Sequence, residues 1–117
     1  DIVNLERSLL HGQRISGHFV QGHIDARGAL TQVNRRGSSR EITVKIPRTL
    51  VRFVASRGSI ALDGVSLTVA SLRGLLCTVA LVSYTLKHTT LGQLRAGSLV
   101  NIEIDLIARY MARLMRR

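Results

Sequence analysis

Ser66 and Thr68 are the residues whose type and spacing point most directly to chemistry. They alternate with Val65, Leu67 and Val69, and an extended chain of that period puts two hydroxyls on one face and three aliphatics on the other. A buried hydroxyl must find a hydrogen-bond partner, so the pair reads either as an exposed strand face or as the polar wall of a ligand pocket. Asp63-Gly64, just ahead, is a strong turn dipeptide between apolar runs, with Asp63 the residue that supports the turn. His18 and His23 lie five apart with no cysteine or carboxylate cluster beside them, a poor metal pair. His88 reads as a surface or helix-capping histidine, Asp25 as a strand-end residue, and Cys77 as core, since it sits in an apolar strand.

The elements that must position these residues are short. Asp1–Glu6 reads as a strand, and residues 7–17 as a linker. Residues 18–25 and 26–33 read as strand material bent at Gly22 and Gly28. A polar hairpin loop, 35–40, leads into a strand over 41–46, where Ile42, Val44 and Ile46 alternate, and Pro47 ends it. Leu50, Val51, Phe53 and Val54 have helical spacing, so 48–56 is expected as a short helix closed by Gly58. Beyond the Ser66–Thr68 strand, Arg73-Gly74 turns into a strand over 75–81, and 82–86 leads to a helical turn ending at Gly92. Ala96-Gly97 turns into the last strand, 99–105. Residues 106–117 form an amphipathic helix with Leu106, Ile107, Tyr110, Met111, Leu114 and Met115 on one face.

Composition narrows the class. A chain of 117 residues, 45% hydrophobic, supports one domain with one core, and with only 3% aromatics aliphatic side chains must fill it. The formal charge is +10, and Lys45 and Lys87 are the only lysines among 17 basic residues. Such a balance favours anions. Nucleic acid is a poor partner even so, because stacking platforms need aromatics, and Phe19, Phe53, Tyr84 and Tyr110 are scattered. One cysteine excludes a disulfide framework, and no apolar run is long enough for a membrane span. With no visible signal peptide and no initial Met, the chain reads as a piece of a cytoplasmic protein.

About six short strands, glycine-rich turns and two short helices suggest a mainly β fold, a small closed Greek-key barrel. Val3-Asn4-Leu5-Glu6 returns as Val100-Asn101-Ile102-Glu103, 97 residues later. That period is a whole domain, so the chain reads as opening on the last strand of a preceding copy of one barrel.

With these pieces in order, the sequence resembles the riboflavin synthase family, and within it the second, C-terminal lumazine-binding barrel. The matching stretches are Gly17-His18-Phe19-Val20-Gln21-Gly22-His23-Ile24-Asp25, Gly58 to Val69, Thr85-Leu86-Lys87-His88-Thr89-Thr90-Leu91-Gly92, and Val100-Asn101-Ile102-Glu103-Ile104-Asp105 with the helix behind it. The resemblance implies a six-stranded Greek-key barrel over 11–105, preceded by the tail of another barrel (1–10) and followed by an oligomerisation helix (106–117). It implies dismutation of two 6,7-dimethyl-8-ribityllumazine molecules to riboflavin and 5-amino-6-(D-ribitylamino)uracil, without a metal or redox cofactor. A non-catalytic lumazine- or flavin-binding protein of the same superfamily is the alternative. The partners implied are the lumazine, riboflavin, copies of the chain in a homotrimer, and lumazine synthase.

Carried over by position, the binding residues are Gly22, His23, Ile24, Arg57, Ser66, Leu67, Thr68 and the run Leu81, Val82, Ser83, Tyr84, Thr85, Leu86. His23 is the candidate for proton transfer, since a histidine titrates near neutrality. Ser66 and Asp105 complete the catalytic set, with Asp105 orienting a proton-transfer group or binding ribityl hydroxyls. Two positions depart from the family pattern. Arg57 stands where the family has Lys, keeping the charge with a different donor geometry, and Ser83 stands where it has Pro, which loosens that loop.

Overall fold

Backbone hydrogen bonding and aliphatic alternation close this chain into one barrel. The computed structural model describes residues 3–5 and 18–115. Six antiparallel strands run β1 (Ala26–Arg36), β2 (Ser39–Lys45), β3 (Ser59–Leu62), β4 (Val65–Arg73), β5 (Leu76–Leu81) and β6 (Leu99–Ile104). Their spatial order is β1-β2-β5-β4-β3-β6, with β6 back on β1, so no strand edge is left open. Two short helices, α1 (Ser83–His88) and α2 (Leu106–Leu114), and two 3₁₀ turns, Arg48–Phe53 and Thr90–Gln93, sit outside the sheet.

The interior is aliphatic, as the low aromatic content required. Leu30, Ile42, Val44, Ile60, Leu62, Val69, Val79, Leu81, Val100 and Ile102 are fully buried, each on the inward beat of its strand. Cys77 shares that interior, and burial pushes its thiol up to about 11, so it stays protonated at neutral pH. The hairpin β3–β4 turns on Asp63 and Gly64, both at positive φ (48° and 80°), the geometry of a type I′ turn. The Asp63 N–H donates to the Asn101 carbonyl at 2.9 Å, and Oδ1 accepts from the Asn101 N–H at 2.7 Å, which ties this turn to β6.

Three expectations shift. Residues 18–25 bend at Gly22 (φ 79°) but join no ladder, because the Gln21 and Gly22 amides are taken by a carboxylate. The irregularity of β1 falls between Leu30 and Gln32, not at Gly28, which lies inside the ladder opposite Val100. Val3–Leu5, expected within a strand, joins no ladder among the described residues. The expected linker at 7–17 lies outside the described residues, as do residues 1, 2 and 6 of the first strand and the last two residues of the terminal helix. Among the described residues no helix is long and apolar enough to cross a membrane.

Candidate functional site

The candidate site is on the outside of the barrel, because the inside is full. On β4, Leu67 and Val69 are buried in the core, while Ser66 is half-buried and Thr68 exposed on the opposite face. Ser66 is paired with Ala61 of β3, and Ala61 with Glu103 of β6, so one outward row crosses three strands. Ala61 and Glu103 are nonetheless buried, Glu103 at 6% exposure, because the chain at 18–25 is laid over them.

Three side chains, His18, Glu103 and Asp25, make the polar contacts that hold that covering segment. His18 Nδ1 and Ser66 Oγ share a hydrogen bond at 2.6 Å. The Glu103 carboxylate accepts from the Gln21 N–H at 2.7 Å and the Gly22 N–H at 3.0 Å. Asp25 Oδ2 accepts from the Ile104 N–H at 2.9 Å, and its Oδ1 pairs with Arg109 of α2. The second ring nitrogen of His18, Nε2, is buried and has no hydrogen-bond partner among the described residues. A buried polar atom without a partner costs about 1–3 kcal/mol, so this nitrogen favours any ligand group that can reach it.

His23 follows Gly22 and is exposed. It lines a cleft of about 260 Å³ together with Asp25, Glu103 and Arg109. Asp105 lies immediately beyond β6 as the N-cap of α2, where Oδ1 accepts from the Ile107 N–H at 3.0 Å. Ile24 is exposed beside a second cleft near the Asp63-Gly64 turn.

The 81–86 run meets this face from the other side. With Val69 opposite Val79, the β4–β5 register carries Thr68, Leu67 and Ser66 toward Ala80, Leu81 and Val82. α1 starts there with no side-chain cap. Its first turn leaves the Ser83, Tyr84 and Thr85 amides without an intrahelical acceptor. Arg57 is exposed at φ 70°, its N–H donating to the Val69 carbonyl at 2.7 Å, so it too borders β4.

The sequence profile described as "Lumazine binding domain" matches residues 21–105, most of the chain.

The chain belongs to the lumazine binding domain family.

It is 44% identical over 112 residues to riboflavin synthase of Brucella abortus, covering 96% of this chain and 55% of that protein. Against riboflavin synthase of Bacillus subtilis the identity is 36% over 115 residues, covering 98% and 54%. The chain thus spans about half the length of these relatives. The barrel also superposes on the crystal structure of LumP complexed with riboflavin, with a TM-score of 0.74 at 22% identity, covering 80% of this chain and 50% of that one. LumP complexed with 6,7-dimethyl-8-(1'-D-ribityl) lumazine gives 0.72 at 22%, covering 77% and 51%. At that identity the likeness shows the fold.

In this lumazine binding domain, Ser66, Thr68 and Arg57 fall together on or beside β4, and the α1 amides lie along the same end. Leu67 and Leu81 point into the core, so only their backbone is available to a ligand, and Leu86 packs partly against the core. His23 and Asp105 stand at the far end of the Ser66–Ala61–Glu103 row. Sequence reasoning passed over three residues: His18, treated only as half of a metal pair, Glu103, and Asp25. Glu103 did carry a signal. A lone carboxylate between Ile102 and Ile104 must face outward, and the same Glu ends both copies of the repeat.

Proposed function

We propose that this barrel is the C-terminal half of a riboflavin synthase, and that its outer face holds one molecule of 6,7-dimethyl-8-ribityllumazine. The Ser66 and Thr68 hydroxyls take the ring edge or ribityl chain. The amides of the first turn of α1, with the Thr85 hydroxyl and Arg57, donate to the pyrimidine carbonyls, as a helix start favours electron-rich oxygens. A second lumazine, on a barrel of the other kind from a neighbouring subunit, stacks against the first. His23 moves protons between ring and methyl carbons, and Asp105 orients a proton-transfer group or binds ribityl hydroxyls. One substrate gives a four-carbon unit and the other accepts it, so the two products account for both substrates and no external oxidant or reductant enters.

The observation that carries this reading is the His18–Ser66 hydrogen bond, which holds the hydroxyl and leaves the buried Nε2 without a partner among the described residues. The same reading makes the protein a cytoplasmic homotrimer joined through α2, whose Ile107, Tyr110 and Met111 are exposed, and an associate of lumazine synthase. The second reading is a holder of lumazine or flavin without chemistry, favoured by the barrel's likeness to LumP. The higher identity to riboflavin synthases weighs for the enzyme.

The test is titration of the 117-residue chain with 6,7-dimethyl-8-ribityllumazine, followed by absorbance and fluorescence, and turnover by the full-length protein. The expected result is binding by the chain, with Ser66→Ala or His18→Ala weakening it about tenfold for the loss of one good hydrogen bond, and riboflavin formation by the full-length protein. No spectral change at millimolar ligand sinks the lumazine reading. Binding with no riboflavin formed by the full-length protein turns the choice to the holder.

A further inference from the structure

His23 and Asp105 sit on different pieces of chain, and proton transfer between them and one substrate needs a fixed relation. The chain around His23 is fastened on both sides. Ahead of it, the Gln21 and Gly22 amides donate to Glu103 of β6. Behind it, the Asp25 N–H donates to the Ile102 carbonyl at 2.8 Å, and Asp25 Oδ2 accepts from the Ile104 N–H at 2.9 Å. Only His23 and Ile24 lie between these fastenings, and both are exposed. The downstream fastening also reaches beyond the sheet, because Asp25 Oδ1 pairs with Arg109 of α2.

Arg109 closes a ring. Its backbone N–H donates to the Asp105 carbonyl at 3.1 Å, one helical turn back. Its guanidinium pairs with Asp25, Asp25 holds the Ile104 amide, and Ile104 precedes Asp105 in the chain. The ring therefore passes through Asp105 and through the residue two places after His23. His23, Asp25 and Arg109 line the same cleft of about 260 Å³. The Phe53 ring, from a third element, lies 5.6 Å from the guanidinium and narrows where that side chain can swing. The Arg109 side chain is 48% exposed and that of Asp25 16%. An ion pair this open adds little to stability. Its contribution is to fix Asp25 in place, not to hold the barrel together.

We infer that Arg109 is a positioning residue for the dismutation, holding His23 through Asp25 in a set relation to Asp105, a role that rests on reading this barrel as half of a riboflavin synthase. Arg109 acts on the chemical step and not on substrate affinity, since it reaches His23 only through Asp25. The pair is a single Nη2–Oδ1 contact, so a point charge at position 109 can replace the guanidinium.

The test uses the full-length protein and measures kcat and KM for 6,7-dimethyl-8-ribityllumazine, with the amount bound per chain followed by fluorescence. Arg109→Ala should lower kcat about tenfold to a hundredfold, the cost of a misplaced catalytic group, with KM and the amount bound within about twofold of the unaltered protein. Arg109→Lys should recover most of that rate. Arg109→Ala combined with Asp25→Asn should lose no more than either alone, because the two act as one unit. A kcat within about twofold of the unaltered protein in Arg109→Ala overturns the inference, as does a raised KM at unchanged kcat. A parallel fall in kcat and in the amount bound makes Arg109 merely structural, and an Arg109→Lys variant as slow as Arg109→Ala shows that it does not act through the charge on Asp25. Where Arg109→Ala does not fold, Asp25→Asn answers the same question, since it keeps an acceptor for the Ile104 N–H and loses the charge that faces Arg109: the same fall in kcat supports the inference and an unchanged kcat overturns it. If the unaltered protein forms no riboflavin, the enzyme reading itself has failed and this role fails with it.

Discussion

Glu103 shows why some of the site could not be read from neighbouring residues. Its partners, the Gln21 and Gly22 amides, are 82 and 81 positions away, and no local pattern announces a contact of that range. Ser66 and Thr68 were legible, because the two-residue period of a strand assigns a face without any knowledge of what covers it. His18 was half legible: its type invited chemistry, but the hydroxyl that holds it is 48 residues away. Glu103 is a positioning residue for the His23 segment, since it anchors the residues just before it. Glu103→Gln keeps one acceptor oxygen and turns a carboxamide NH2 toward a backbone N–H, donor against donor. Hydrogen bonds to a charged group contribute about 1.5–3 kcal/mol, so urea unfolding should show a loss of about that size. Exchange at the Gln21 and Gly22 amides should quicken at the same time. An unfolding free energy unchanged within about 0.5 kcal/mol would mean that the carboxylate is not the anchor.

At the scale of elements, boundaries set by local chemistry were legible and those set by packing were not. Pro47 and Asp63-Gly64 ended strands where their backbone preferences require. The expected helix at 48–56 is a 3₁₀ turn that stops at Phe53, with Val54 turned into the core. Residues 18–25 have strand-like composition, yet β1 already closes on β6 and leaves them no free edge. Gly28 reads as a bend in the sequence, but a methyl there would stand 2.6 Å from Ile102 Cδ1 and 2.7 Å from the Lys45 carbonyl, so close packing is what requires it. The Ser83 departure gains a physical meaning here. Ser83 is the first residue of α1, the position where proline fits a helix, and Val82 before it is extended at φ −75° and ψ 162°, as a pre-proline residue must be. Ser83→Pro should therefore stabilise the barrel by about 0.4–1 kcal/mol, mostly by restricting the unfolded chain. Thermal unfolding checks it, and a destabilised Ser83→Pro variant would show that the Ser83 N–H has an acceptor that proline removes.

For the whole molecule, a closed barrel with an aliphatic core was legible from strand count, turns and low aromatic content, while the outward location of the candidate site was not. An interior already filled by Leu, Ile and Val leaves a ligand only the outside, and that follows from how many side chains six short strands must bury. The same accounting applies to α2. Asp105 caps it, and Arg109 ties it to Asp25 and lies over the Phe53 ring at 5.6 Å, yet Ile107, Tyr110, Met111 and Leu114 remain exposed, Leu114 at 81%. Exposed apolar side chains clustered on one short helix favour a protein partner over solvent. Burying them in a symmetric assembly should make the mass depend on concentration. Sedimentation equilibrium of this chain should show association that Ile107→Glu with Leu114→Glu abolishes. Because both side chains face solvent, the double variant's urea midpoint, measured at a dilution where the chain is monomeric, should move by no more than about 0.5 kcal/mol per site. A monomeric mass at every concentration for the unaltered chain would assign this helix no part in self-association. A lost midpoint in the double variant would instead make α2 part of the barrel's own packing.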